Sequence, residues 1–153
     1  MKRDSRLSNI LHALLHMAEH ETRTGAPMTS DQLAVCLSTN PVVVRRTMAG
    51  LRDHGYVRSE KGHGGGWSLA TPLADISLLD IHEALGSPAP FAFGLANDDP
   101  DCLVEKAVNA RLSDAMADAE AILRARLAAV TLADIATDFQ KRLTAGGRRR
   151  GAR

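Results

Sequence analysis

The stretch Thr29-Ser30-Asp31-Gln32-Leu33-Ala34-Val35-Cys36-Leu37, then Ser38-Thr39, then Asn40-Pro41-Val42-Val43-Val44-Arg45-Arg46-Thr47-Met48-Ala49-Gly50-Leu51, carries two adjoining helix signatures. Thr29 and Gln32 stand at capping-box spacing, with Leu33, Ala34 and Leu37 on the face to be buried. Asn40 is a good N-cap and Pro41 a good first helical residue, so a second helix is expected over 40–54, stopped by Gly55. Val44, Met48 and Leu51 form its apolar stripe. Two helices separated only by Ser38-Thr39-Asn40 read as a helix-turn-helix.

Upstream, Leu7, Leu11, Leu14 and Ala18 recur at helical spacing, with Ile10 and Leu15 at the edges. Downstream the period changes. Tyr56 to Glu60 and Trp67 to Ala70 alternate as short strands around Lys61-Gly62-His63-Gly64-Gly65-Gly66, which predicts a β-hairpin with a glycine-rich tip. A fourth helix is expected from Ser77, with Asp80 at the capping-box position and Ile76 and Ile81 as a staple, ending near Gly86. Residues 87–100 read as a loop. From Asp101 to Ala129 one long helical pattern carries Val108, Leu112, Met116, Ala119, Leu123, Leu127 and, just beyond, Val130. A last helix opens at Thr131-Leu132-Ala133-Asp134 and carries Phe139 and Leu143. The expected fold is mainly α. A winged helix-turn-helix domain spans 1–86, followed by the loop 87–100 and by 101–145, a long dimerisation helix plus a terminal helix. An Arg-rich tail, 146–153, is expected to be disordered.

Composition narrows the function classes. The chain has 153 residues, 44% hydrophobic and 24% charged, a globular balance. Aromatics are only 3%, too few for extensive stacking on single-stranded nucleic acid. No apolar run approaches the ~20 residues of a membrane span, and the start Met1-Lys2-Arg3-Asp4-Ser5-Arg6 does not resemble a signal peptide. Cys36 and Cys102 are no disulfide framework, so a reducing cytoplasm is the expected location. The net charge of +1 conceals an asymmetry. Residues 1–72 hold nine Lys/Arg against six Asp/Glu, residues 73–145 six against twelve, and the last eight hold four Arg and no acid. A basic first half joined to an acidic second half suits a polyanion-facing module attached to another element.

The expected DNA-contacting residues follow. Val42, Val43, Arg45, Arg46 and Ala49 are presented by the second helix, whose N-terminus is expected to offer free N–H groups and a positive dipole end. Arg reads guanine or clamps phosphate bidentately, and small Val side chains allow close approach. Lys61, Gly62 and His63 of the wing, 61–66, are expected to lie against a groove or phosphate. The glycines do not form a nucleotide loop, since no Gly-Lys-Ser/Thr follows and they lie between strands. His12, His16 and His20 are spaced four apart, but on the face opposite the apolar stripe, so a solvated face is expected and no metal site. No catalytic constellation stands out, so the chain is not read as an enzyme.

The segments Thr29 to Ala34, Asn40 to Ser59 and Gly62-His63-Gly64-Gly65-Gly66-Trp67-Ser68-Leu69 resemble the Rrf-two (Rrf2) family of bacterial winged-helix regulators. The likeness continues through Ile76 to Ile81 and from Asp101 to Asp134. It implies a homodimer on the long helix, with Leu112, Met116, Ala119, Leu123 and Leu127 at the interface. It also implies binding to pseudo-palindromic double-stranded DNA, usually as a repressor, with contacts carried over by position to Asn40, Val42, Val43, Arg45 and Arg46 of the helix and to Lys61 and His63 of the wing. Members that sense iron, nitric oxide or redox state hold an iron–sulfur cluster on three cysteines, of which only Cys102 has a counterpart here, so no cofactor is expected. Cys102, at a helix start, reads first as a structural cap or bystander and second as a candidate thiol sensor, since Asp98, Asp99, Asp101 and Glu105 disfavour its thiolate. A small-molecule or redox signal is left open. The alternative reading is a protein-interaction module whose acidic half binds a partner protein.

Overall fold

The computed structural model describes residues 4–91 and 94–150, the last four as backbone only. Among them, α1 (Arg6–Thr24), α2 (Ser30–Cys36) and α3 (Pro41–Asp53) precede a hairpin of β1 (Val57–Glu60) and β2 (Gly66–Leu69). A short 3-10 turn at Leu73–Asp75 leads to α4 (Leu78–Ala84), then α5 (Leu103–Ala128) and α6 (Leu132–Arg150). This is the mainly helical, winged helix-turn-helix architecture with a long C-terminal helix that the sequence predicts.

Local chemistry explains the starts. The Thr29 hydroxyl accepts from the Gln32 amide while the Gln32 side chain accepts from the Thr29 amide. Ser77 and Asp80 make the same reciprocal pair at α4, and Thr131 and Asp134 make it at α6. Each such cap is worth on the order of 1 kcal/mol. The hydrogen bonds from Thr131 hold the Asp134 carboxyl below its ordinary range, so the cap survives acidification into that range and is released only as pH falls further, through the lowered value.

The core gathers Leu14 and Met17 of α1, Leu33 of α2, Val44, Met48 and Leu51 of α3, Val57 of β1, and Ile76, Ile81 and Leu132. All three apolar positions assigned to α3 are buried. In α1 the buried set is Ile10, Ala13, Leu14 and Met17, rotated from the expected Leu7, Leu11, Leu14, Ala18 stripe. Leucines and isoleucine fill two overlapping stripes of α1, and packing against β2, α4 and α6 selects between them. The same packing corrects the solvated histidine face. His12 is exposed, but His16 and His20 are half-buried, and His12 and His16 line a small cavity with Ile135 and Phe139 of α6. The strands begin one residue later at β1 and one earlier at β2 than the alternation suggested, pairing Val57 with Leu69 and Glu60 with Gly66.

Two pairs of backbone bonds join distant segments. Met28 and Trp67 exchange N–H···O bonds of 2.9 and 2.8 Å, which ties β2 to the residue before α2's cap. A Cβ at Gly66 would lie 2.5 Å from the Met28 carbonyl oxygen, so only glycine fits there. Likewise Leu78 N donates to Val130 O and Leu132 N to Ile76 O, each at 2.9 Å. Ile76 and Leu132, flanking this bridge, are both fully buried. The core therefore reaches past residue 86 and includes the start of α6. That helix also continues beyond Gly146, where the sequence reading placed a disordered tail. Once α6 is formed, each further residue adds a hydrogen bond without a new nucleation cost. Residues 151–153 of that tail lie outside the described residues. α5 has no buried residue at all.

Leu132→Ala should lower the unfolding free energy by about 2–5 kcal/mol, because a fully buried side chain at the bridge is lost. Urea denaturation measures it, and a shift under ~1 kcal/mol would place α6 outside the core.

Candidate nucleic-acid interface

α3 is built so that its cations face outward. Val44, Met48 and Leu51 anchor one side, leaving Val42 at 67% and Val43 at 47% exposure and both Arg45 and Arg46 exposed. Among the described residues neither arginine has an acidic partner, and neither does Lys61. Other cations of this half are engaged. Arg58 faces Glu21 at 3.5 Å and donates to Leu69 O at 2.8 Å, and Arg6 pairs with Asp4 at 2.7 Å. An unpaired guanidinium on a rigid helix keeps its full capacity to donate to a phosphate or base edge.

The N-terminus of α3 departs from expectation. Asn40 Oδ1 accepts from the amides of Val42 and Val43, both at 3.1 Å, and Val44 N donates to Asn40 O at 3.2 Å. Pro41 has no N–H. The first-turn donors are thus satisfied internally, and anion contact at this helix falls to side chains. Asn40 keeps only its Nδ2 to offer.

The wing is anchored at its base and open at its tip. Tyr56 N donates to Leu51 O at 3.1 Å and Thr71 Oγ1 to Gly55 O at 2.8 Å, so the hairpin leaves directly from the end of α3. The Trp67 indole N–H donates to Ser30 Oγ at 3.0 Å, a link between wing and helix-turn-helix that spacing alone does not reveal. Gly62 and Gly64 adopt φ of 89° and 78°, and Gly65 N closes on Gly62 O at 3.1 Å. Lys61, Gly62 and His63 are exposed.

On α5 the expected interface residues divide. At about 100° per residue, Val104, Val108, Leu112, Ala115, Ala119 and Ile122 fall within an arc of about 80°. All six are exposed, Val104 at 72% and Ile122 at 67%. Met116, Leu123 and Leu127 occupy the adjoining flank and are half-buried. Beyond them Arg124 pairs with Glu83 of α4, the helix on which α5 packs. Sequence periodicity merged these faces because both are apolar. Leu112 and Ala119 belong to the free face.

Cys102 is exposed at the N-cap of α5. The backbone amides of Glu105, and then of Val104, hold its thiol below the ordinary value, with desolvation opposing them. Cys36 is half-buried at the end of α2. His12 and His16 point Nε2 at Nε2 across 2.9 Å, a single hydrogen bond. Among the described residues, no three or more His, Cys, Asp or Glu side chains come together to hold a metal ion.

A family model described as "Rrf2: Iron-dependent Transcriptional regulator" matches residues 3–138. YffB of Lactococcus lactis, described as an HTH-type transcriptional regulator, is 32% identical over 92% of this chain and 90% of its own length. YwnA of Bacillus subtilis, described likewise, is 29% identical over 86% and 95%. A solved structure from Lactobacillus plantarum, described as that of a transcriptional regulator, superposes with a TM-score of 0.73. It is 26% identical and covers 97% of this chain and 99% of that one. The description names iron, but two cysteines on separate elements, with no group of three or more metal-ligating side chains among the described residues, do not fit an iron–sulfur cluster. The chain belongs to the Rrf2 family of winged-helix transcriptional regulators.

Proposed function

We propose that this protein is a homodimeric, sequence-specific DNA-binding repressor. The observation that carries the reading is the pair of unpartnered arginines, Arg45 and Arg46, on the second helix of the helix-turn-helix beside a wing that exposes Lys61 and His63. Val42 and Val43 supply the apolar contact a thymine methyl takes, and Gly62 lets the wing backbone approach phosphate. The free strip of α5 supports a second copy as its occupant. At about 39 Å the helix is long for a domain of this size, and Ala115 and Ala119 in the strip allow two backbones close together. Two recognition helices so joined would meet major grooves about one turn, roughly 34 Å, apart. Bound across an operator, such a dimer represses by excluding polymerase. Cys102 is assigned as a thiol sensor through its lowered pKa and exposure.

Selection from random duplexes should recover a two-fold symmetric site. Arg46→Ala should weaken binding to that site by about 1–3 kcal/mol with circular dichroism unchanged, as fluorescence anisotropy would measure. Undiminished affinity would remove α3 as the contact surface, and affinity indifferent to sequence would favour the protein-interaction module. Leu112→Glu, on a face exposed in one chain, should release folded monomers in analytical ultracentrifugation; a persistent tight dimer would move the interface off α5. Because its thiol titrates lower than a free cysteine, Cys102 should alkylate with iodoacetamide at neutral pH well ahead of Cys36, as peptide mass spectrometry would read. Equal rates would exclude it as the sensor.

A further inference from the structure

Between the start of α1, the middle of α3 and the end of α4 lies a groove of about 570 Å³, within the size range of small-molecule sites. Its floor is apolar, formed by Ile10, Leu37, Met48, Leu51 and Leu85. Its rim carries Asn9, Thr39 and Thr47 with two guanidinium groups, Arg6 and Arg46, and no Asp or Glu lines it. Arg6 is already neutralised, donating three hydrogen bonds to Asp4 and holding that carboxyl down to about 2. Among the described residues, Arg46 therefore supplies the groove's uncompensated charge.

A second observation concerns Gly50. It lies inside α3 and lines the groove, yet no positive φ requires glycine there and nothing lies within 4 Å of a Cβ built on it. Glycine weakens a helix interior relative to alanine. Neither backbone conformation nor close packing demands it, and the missing side chain leaves groove volume.

We propose that this groove binds an amphipathic organic anion, a small carboxylate with an apolar body, and that the ligand competes with DNA for Arg46. The carboxylate takes the charge-assisted hydrogen bonds of Arg46 at the rim while the apolar body covers Leu51 and Leu85. Occupancy engages the guanidinium that would otherwise reach a phosphate or base, so the anion acts as an inducer. This coupling rests on the proposed DNA reading; the site itself does not.

Isothermal titration calorimetry of the full chain with octanoate, and with octanol as the uncharged control, tests the site. Octanoate should bind at least tenfold more tightly than octanol. Arg46→Ala and Gly50→Leu should each weaken octanoate at least tenfold, and Gly50→Ala, which fills less and favours the helix, should weaken it less. Saturating octanoate should lower the affinity of the wild-type protein for its selected duplex, and should leave that of Gly50→Leu unchanged. Absence of octanoate binding, equal binding of octanol, or undiminished binding to a folded Gly50→Leu would overturn the site. Octanoate binding with unaltered duplex affinity would overturn the competition. A wild-type protein that binds octanoate but no duplex would overturn the DNA reading and leave the site standing.

Discussion

Two backbone hydrogen bonds across the Ser77–Thr131 bridge organise the C-terminal half of this molecule. They hold the start of α6 against the start of α4, with Ile76 and Leu132 buried on either side. Everything from Leu78 to Val130 is thereby a closed excursion whose ends meet in the core. The 26-residue α5 leaves and returns without burying a residue. An element so long and so little buried has its apolar stripe free for something outside the chain, and the bridge keeps that stripe at a set place relative to the core.

The N-terminal half is held by a parallel device. Met28 and Trp67 pair through their backbones, and the Trp67 indole reaches Ser30, so the wing, the cap of α2 and the core are one unit. The consequence is electrostatic as well as mechanical. Helix ends satisfy their own donors through Thr29, Asn40 and Ser77, while several flanking cations pair with nearby acids. Arg45, Arg46 and Lys61 are left without such partners among the described residues. Their charge is available because the structure needs them for nothing else.

The helix-turn-helix was legible in detail. Thr29, Gln32 and Asn40 act through bonds to residues two to four positions away and Pro41 through its fixed φ, so local spacing determines them, and Val44, Met48 and Leu51 share a face that periodicity finds directly. The face of α1, the environment of His16 and the division of α5's apolar strip were not legible, because each depends on which distant helix arrives. The groove beneath Gly50 was invisible for the same reason: its walls come from residues 6–10, 37–51 and 84–85. Free amides at α3 were expected from the general properties of helix ends, and Asn40's own side chain had already used them.

What the sequence alone determined is the order of elements, their caps, the glycine-bearing wing and the family, since all of these are written in short-range spacing or in motifs. Tertiary structure alone decided which cations stay unpaired, which half of the α5 strip stays open, that α6 enters the core, and that a cavity forms beside the recognition helix. These are outcomes of long-range burial, in which the free energy of covering one apolar face depends on the shape and charge of whatever covers it.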